Sequence, residues 1–196
     1  TPGVMLSSAA KEYLKIYGVL VGKKPLVFTN NDSGYETAIE FKKNGIDPIV
    51  LDTRKDSNSE IIKEAKDLNI NIKSSYVVVA AKGYKKVNSA DIAKISEDKK
   101  NISNIENIKC DCICVSGFWT PTIHLASQSG NKTKFKEDID AFVPGTSKQN
   151  ETTLGAANGT YTLEETLKNS FEAGHKLSKE ITKNDNKVSF PNVIEK

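Results

Sequence analysis

The residues of this chain whose chemistry stands out are few and grouped. All three cysteines fall in one phrase, Cys110-Asp111-Cys112-Ile113-Cys114, and their i, i+2, i+4 spacing puts them on one face of a strand. Structural zinc sites favour instead a C-x2-C turn followed by a second ligand pair. Only His124 and His175 are available to complete such a set, and neither stands at ligand spacing. The cysteines therefore read as small buried strand residues, and no metal site is expected. Unpaired, clustered thiols also fit a reducing, cytoplasmic setting. No nucleophile, oriented base and third group can be assembled from the remaining phrases, so no catalytic residue is expected. His124 reads as a helix residue bonded to a backbone carbonyl, and Trp119 as interdomain packing.

A second chemical candidate is the turn Thr29-Asn30-Asn31-Asp32-Ser33-Gly34, between the apolar run PLVFT and a helix. A pyrophosphate-binding loop uses glycines so that backbone amides approach the phosphates with no Cβ in the way. Here Gly34 stands alone, already at the helix start. Asp32 argues further against a phosphate, because like charges about 4 Å apart repel by about 4 kcal/mol at an effective dielectric near 20. As a helix cap the same carboxylate is favourable. The turn is expected to keep the backbone of a nucleotide-binding motif without its ligand, with Asp32 as the cap. Asp52 is the opposing sign. It closes the next strand, where a ribose-binding acid belongs, although acids at strand ends are also ordinary turn residues. Arg54 beside it is a weaker candidate for a 2′-phosphate.

The third candidate is Gly155-Ala156-Ala157-Asn158-Gly159. Small residues let a backbone come close to a ligand, and the helix start near Thr160 to Thr162 should offer free amides. A simple tight turn before a helix explains the same residues.

Composition removes several function classes. Net charge is +3 over 196 residues, and the lysines are dispersed among acids, without the basic stripe and interleaved aromatics of a nucleic-acid surface. Arg54 is the only arginine, so bidentate arginine clamps on phosphate are nearly excluded. The longest apolar runs, YVVVAA and CICV, fall far short of the roughly 20 residues of a membrane span. The chain opens TPGVMLSS without an initiator methionine or a charged-then-apolar leader, and a piece of a longer protein is expected.

These residues are positioned by a recognisable order of elements. A helix is predicted from about Ser8 to Tyr17, a strand over PLVFT, a helix over SGYETAIEFKKNG closing on Gly45, and a strand over DPIVLDTR. A second helix follows in SEIIKEAKDLN behind an imperfect capping box at Ser59. This β-α-β-α unit is the half-module of a doubly wound sheet. Two strands joined at Lys82-Gly83-Tyr84 then form a meander. NISNIENIK reads as a connector, CDCICVSG as a buried strand, TPTIHLASQSG as a short helix, and TKFKEDIDAFVPG as weak strands. TTLGAANG reads as a strand, and TLEETLKNSFEAGHKLSKEI as a helix with Leu163, Leu167, Phe171, Leu177 and Ile181 near helical spacing.

The order β-α-β-α, meander, then VSGFWTP resembles the second dinucleotide-binding domain of glutathione-reductase-like flavoproteins. The fold that this implies is a Rossmann-like parallel sheet with helices on both faces plus a β-meander. VFTNNDSGYETA, VSGFWTPTIHLASQSG, AFVPG and GAANGTYTLEETL together look like the α-subunit family of heterotetrameric sarcosine oxidases. The resemblance implies four regions: 1–18, an incomplete piece of the first, FAD- or NAD-type domain; 19–115, the second dinucleotide-binding domain; 116–182, a return segment of the first; and 183–196, a linker toward a folate-binding domain. It also implies oxidative demethylation of N-methylglycine to glycine, yielding peroxide with formaldehyde or methylenetetrahydrofolate. In that family FAD lies in the β subunit and FMN at the α–β interface, so FAD, FMN and tetrahydrofolate fall outside this stretch. By the same resemblance, Gly155, Ala156, Asn158, Gly159 and Thr160 line an NAD site, with Asn158 where the family has an aspartate. The stretch would be scaffold and NAD site, inactive alone. Three alternatives stand beside this: a self-contained NAD(P)-dependent reductase, the α subunit of a related opine, proline or hydroxyproline dehydrogenase, and a non-catalytic assembly module.

Overall fold

The computed structural model describes residues 1–55, 57–103, 105–182 and 189. The chain divides into two units, Thr1–Phe118 and Trp119–Lys196. The expected linker at 183–196 lies, but for Ser189, outside the described residues.

In the first unit, β1 (Val4–Leu6) leads into α1 (Ser7–Tyr17), which ends on Gly18 in a left-handed conformation that needs no Cβ. There follow β2 (Pro25–Thr29), α2 (Ser33–Lys43), β3 (Ile49–Asp52), α3 (Glu60–Asp67) and β4 (Asn71–Ser74). Next come β5 (Tyr76–Lys82), β6 (Ser89–Lys94), β7 (Glu106–Lys109) and β8 (Cys112–Ser116). Five strands make one parallel sheet in the order β1-β8-β2-β3-β4. The antiparallel sheet β5-β6-β7 is the expected meander.

Period-two alternation sorts the core onto the two faces of the parallel sheet. Val27, Val50, Cys112 and Cys114 face α1, α2 and α3, packing with Ala10, Tyr35, Ala38, Phe41, Ile62 and Ala65. Leu26, Leu51 and Ile113 face the other way, onto Val87, Ala90 and Ile92 of the meander region. The described helices of this unit that join the core thus lie on one face, and the meander covers the other.

Several local expectations give way here. Residues 1–18 do not stand apart from the sheet. Val4, Met5 and Leu6 pair with Ile113, Cys114 and Val115, and Ala10 is fully buried in the helix-side core. The cysteines do not share one face. Cys110 precedes the strand and joins the meander-side core, while Cys112 and Cys114 point to the helices. β7 occupies part of the expected connector, because Ser89–Ile92 of β6 offers Glu106–Lys109 a ladder to complete.

In the second unit, α4 (His124–Gln128) precedes a hairpin of β9 (Thr133–Lys136) and β10 (Ala141–Pro144), then α5 (Leu163–Thr182). The strand expected over TTLGAANG is absent: Gly155–Asn158 form a single 3-10 turn. The helical spacing of α5 is borne out, yet no described residue of α5 is buried, and Leu163, Leu167, Leu177 and Ile181 are exposed.

Candidate functional site

The parallel sheet reverses its strand order between β2 and β8. From β2 the chain moves outward through β3 and β4, and it returns to place β8 and β1 on the other side. In open α/β sheets the crevice at the carboxyl ends of such strands is the ligand position. Thr29 and Ser116 pair at those two ends, and the turn 29–34 lies over them.

Set against G-x-G-x-x-G, the turn has Thr29, Asn31 and Gly34 at the three glycine positions. Only the third is kept, and its reason is packing: a Cβ on Gly34 would stand 2.5 Å from Cβ of Thr29. The second position, where phosphate would meet bare backbone, is filled by the Asn31 side chain. Its Oδ1 accepts from the Ser33 amide at 3.0 Å, the Ser33 hydroxyl at 2.7 Å and the Ser116 hydroxyl at 3.2 Å. Its Nδ2 donates to the carbonyl of Gly117 and to Oδ1 of Asn30. The Ser33 and Ser116 hydroxyls also meet at 2.7 Å. Thr29 Oγ1 donates to the Asn31 carbonyl at 2.7 Å. The crevice is bridged by the protein's own hydrogen bonds.

Asp32 takes a different role from the expected cap. It precedes α2 with helical φ and ψ and makes no side-chain cap hydrogen bond. The Ser33 amide at the helix start is taken by Asn31. Asp32 turns instead to Arg54, 2.8 Å from Nη1. Arg54 simultaneously holds Asp52, with Nη2 at 2.9 Å and Nε at 3.1 and 3.2 Å from its two oxygens. Asp52 is fully buried and also accepts from the Tyr35 hydroxyl at 2.8 Å and the Arg54 amide at 2.9 Å. Burial works against the Arg54 charge, but its hydrogen bonds to Asp52 and Asp32 prevail and raise its pKa. Burial raises that of Tyr35, and the bond to Asp52 and its charge add to the rise.

This arrangement does not fit a dinucleotide. The acid at the ribose position is buried and engaged, the only arginine is spent on two aspartates, and the phosphate position holds a carboxamide. Sequence reasoning missed Asn31 and Ser116, although the spacing of Asn31 from Gly34 could have placed it at the second glycine position.

The phrase 155–160 lies in the second unit. Gly155 and Gly159 have φ of 65° and 76°, the left-handed region that favours glycine. A Cβ on Gly159 would stand 2.5 Å from Cδ1 of Ile139, so the close approach here is to the chain itself. The expected free amides are partly used. Thr160 N donates to Gly155 O at 3.1 Å, and Gly159 N to Ala156 O at 3.2 Å. Thr162 caps α5, its Oγ1 accepting from the Glu165 amide at 3.3 Å and donating to Oε2 of the same residue at 3.0 Å. The half-buried Asn158 carboxamide has no hydrogen-bond partner among the described residues. Tyr161 donates its hydroxyl to the Trp119 carbonyl at 2.8 Å, with the two rings 6.3 Å apart. His124 opens α4 and is exposed. Among the described residues, no three His, Cys, Asp or Glu side chains gather as a metal set, and no helix is long and apolar enough to cross a membrane.

A parallel sheet with helices on one face, an antiparallel meander and a crevice at its strand-order reversal define a Rossmann-like fold. Thioredoxin reductase of Lactococcus lactis superposes with a TM-score of 0.66 at 15% identity, covering 93% of this chain and 59% of that one. L-proline dehydrogenase from P. horikoshii superposes with a TM-score of 0.55 at 17% identity, covering 93% of this chain and 31% of that one. In sequence, the chain is similar to sarcosine oxidase subunit alpha. It is 30% identical over 162 residues to that of Corynebacterium sp. (strain P-1), covering 82% of this chain and 16% of the relative. To that of Rhizobium meliloti (strain 1021) it is 32% identical over 161 residues, covering 81% and 15%. The chain therefore spans about a sixth of the length of these relatives. No family model matches.

Proposed function

We propose that this chain is a stretch of the α subunit of a sarcosine-oxidase-like flavoenzyme, in which it serves as scaffold and as one wall of an NAD site. The observation that carries this reading is the bridged crevice. A chain 30% identical to sarcosine oxidase subunit alpha over 82% of its length keeps the frame of a nucleotide domain while Asn31 and Ser116 fill the ligand position.

On this reading the parent oxidises N-methylglycine to glycine, with peroxide and either formaldehyde or methylenetetrahydrofolate as products, in the cytoplasm. FAD on a partner β subunit and FMN between the subunits supply the redox chemistry, and no residue of this chain carries a chemical step. Residues 116–182 are the return segment of the first domain, and 183–196 lead toward a folate-binding region. Gly155, Ala156, Asn158, Gly159 and Thr160 line the NAD site of that first domain. The unpartnered carboxamide of Asn158 supports this, since a half-buried donor and acceptor is ready for a ribose hydroxyl.

The experiment is a pair of assays on the 196-residue chain. With N-methylglycine it should form no peroxide, and titration with NADH should leave nucleotide fluorescence unchanged whether residue 52 is Asp or, in Asp52→Asn, an amide. Tight NADH binding that Asp52→Asn weakens would establish the self-contained reductase instead. Co-expression with a flavin-bearing β subunit should give a complex, and its failure to form counts against the assignment.

A further inference from the structure

The first unit carries a second cavity, of about 450 Å³, and we infer that it is an anion site for a phosphate monoester. It opens beyond the carboxyl ends of β3 and β4, beside the end of β6, with Thr53, Lys55, Ser74, Ser75, Lys94 and Lys99 in its wall. Among the described wall residues, three lysines, Lys55, Lys94 and Lys99, stand with one carboxylate, that of Glu97, which is bonded to Lys55 at 2.5 Å. Among the described residues, Lys94 and Lys99 have no ion-pair partner, and the hydroxyls of Thr53, Ser74 and Ser75 have no hydrogen-bond partner. Point-charge ammonium groups beside uncommitted hydroxyl donors match a phosphate dianion. The volume suits a small phosphorylated molecule of up to nucleotide size.

The backbone adds a second observation. Ser75 and Lys99 are two of the four non-glycine residues with positive φ among the described residues, at 61° and 57°, and both line this cavity. Such conformations cost energy and gather at functional sites. At Ser75 the strain is held by two bonds: its amide donates to Arg54 O at 3.1 Å, and its carbonyl accepts from the Ile95 amide at 2.7 Å. The turn from the parallel sheet into the meander is thereby locked with three wall residues around it. This site does not depend on the function proposed above, and the bridged crevice plays no part in it.

The test is calorimetric titration of the 196-residue chain with inorganic phosphate and, separately, with adenosine 5′-monophosphate, at low and high salt. Both should bind, the nucleotide more tightly if the cavity takes a monoester and phosphate equally well if it takes the free ion. Lys94→Ala and Lys99→Ala, both at exposed positions, should each weaken binding by roughly fivefold, the upper end for an exposed ion pair. Glu97→Gln should tighten it, a change of sign that damage to the fold does not produce. Lys85→Ala, in the hairpin turn, should change nothing. No binding at about 10 mM ligand, an affinity too weak to serve as a site, overturns the inference, as does binding that Lys94→Ala, Lys99→Ala and Glu97→Gln leave unchanged.

Discussion

Ser116, the last residue of β8, donates its hydroxyl to Oδ1 of Asn31 at 3.2 Å, across 85 residues of sequence. This bond spans the crevice where the sheet reverses its strand order, and Ser33 reinforces it from the first residue of α2. A carboxamide there satisfies the amide and hydroxyl donors that a phosphate would otherwise meet.

The charge pairing behind this crevice should be tightly coupled. Arg54→Ala leaves Asp52 buried with only the Tyr35, Ser57 and backbone bonds, and should cost about 3 kcal/mol, as for a buried pair that loses one partner. Asp52→Asn in the same chain should recover much of that loss, because the uncompensated charge is gone. A double-mutant cycle in urea unfolding checks this, and simple additivity of the two costs would contradict it.

Glycine at 34 and at 174 should behave oppositely. Gly34→Ala places a Cβ 2.5 Å from Thr29 Cβ, a short side chain with no room to yield, and should cost about 1–3 kcal/mol. Gly174, within α5, has open space around it, so Gly174→Ala should stabilise that helix by about 1 kcal/mol. Thermal melts followed by circular dichroism read both signs.

Alkaline pH should erode stability through Tyr35. Burial, the bond donated to Asp52 and the carboxylate's charge all hold the folded phenol's pKa above its ordinary value of 10.0. Its contribution is whole below pH 10.0, where the unfolded phenol is still neutral, and is lost as pH rises further because only the unfolded chain gives up the proton readily. Tyr35→Phe should lower stability at neutral pH and flatten the alkaline limb. Phenolate absorbance during alkaline unfolding, with and without the substitution, is the measurement.

The thiols should be inert in the folded chain. Cys110, Cys112 and Cys114 are 3%, 1% and 0% exposed. Burial pushes Cys110 up to about 11. The bond between Cys112 and Cys114, with sulfurs 3.7 Å apart, raises Cys114 and lowers Cys112. A disulfide reagent at neutral pH should label almost no thiol natively and all three once the chain is unfolded. Rapid native labelling would show that β8 opens to solvent.

The strong elements of this fold were legible in the sequence because their signals are local. PLVFT and CICV are short apolar runs, and SGYETAIEFKK carries a helical period closed by Gly45. β1, β4 and β7 have three or four residues each, too few to show a period, and exist because a neighbouring strand offers a ladder.

The sequence by itself determined the α/β order, the absence of a glycine-rich phosphate loop and the likeness to sarcosine oxidase α subunits, all properties of residue types in succession. Only the tertiary structure decided that Asn31, and not Asp32, serves the start of α2, and that Arg54 binds two aspartates at once. Hydrogen bonds and ion pairs depend on distances of about 3 Å, and those distances arise where β2, β3 and β8 end side by side. Residues 85 apart in the chain meet there because the sheet brings their strands together.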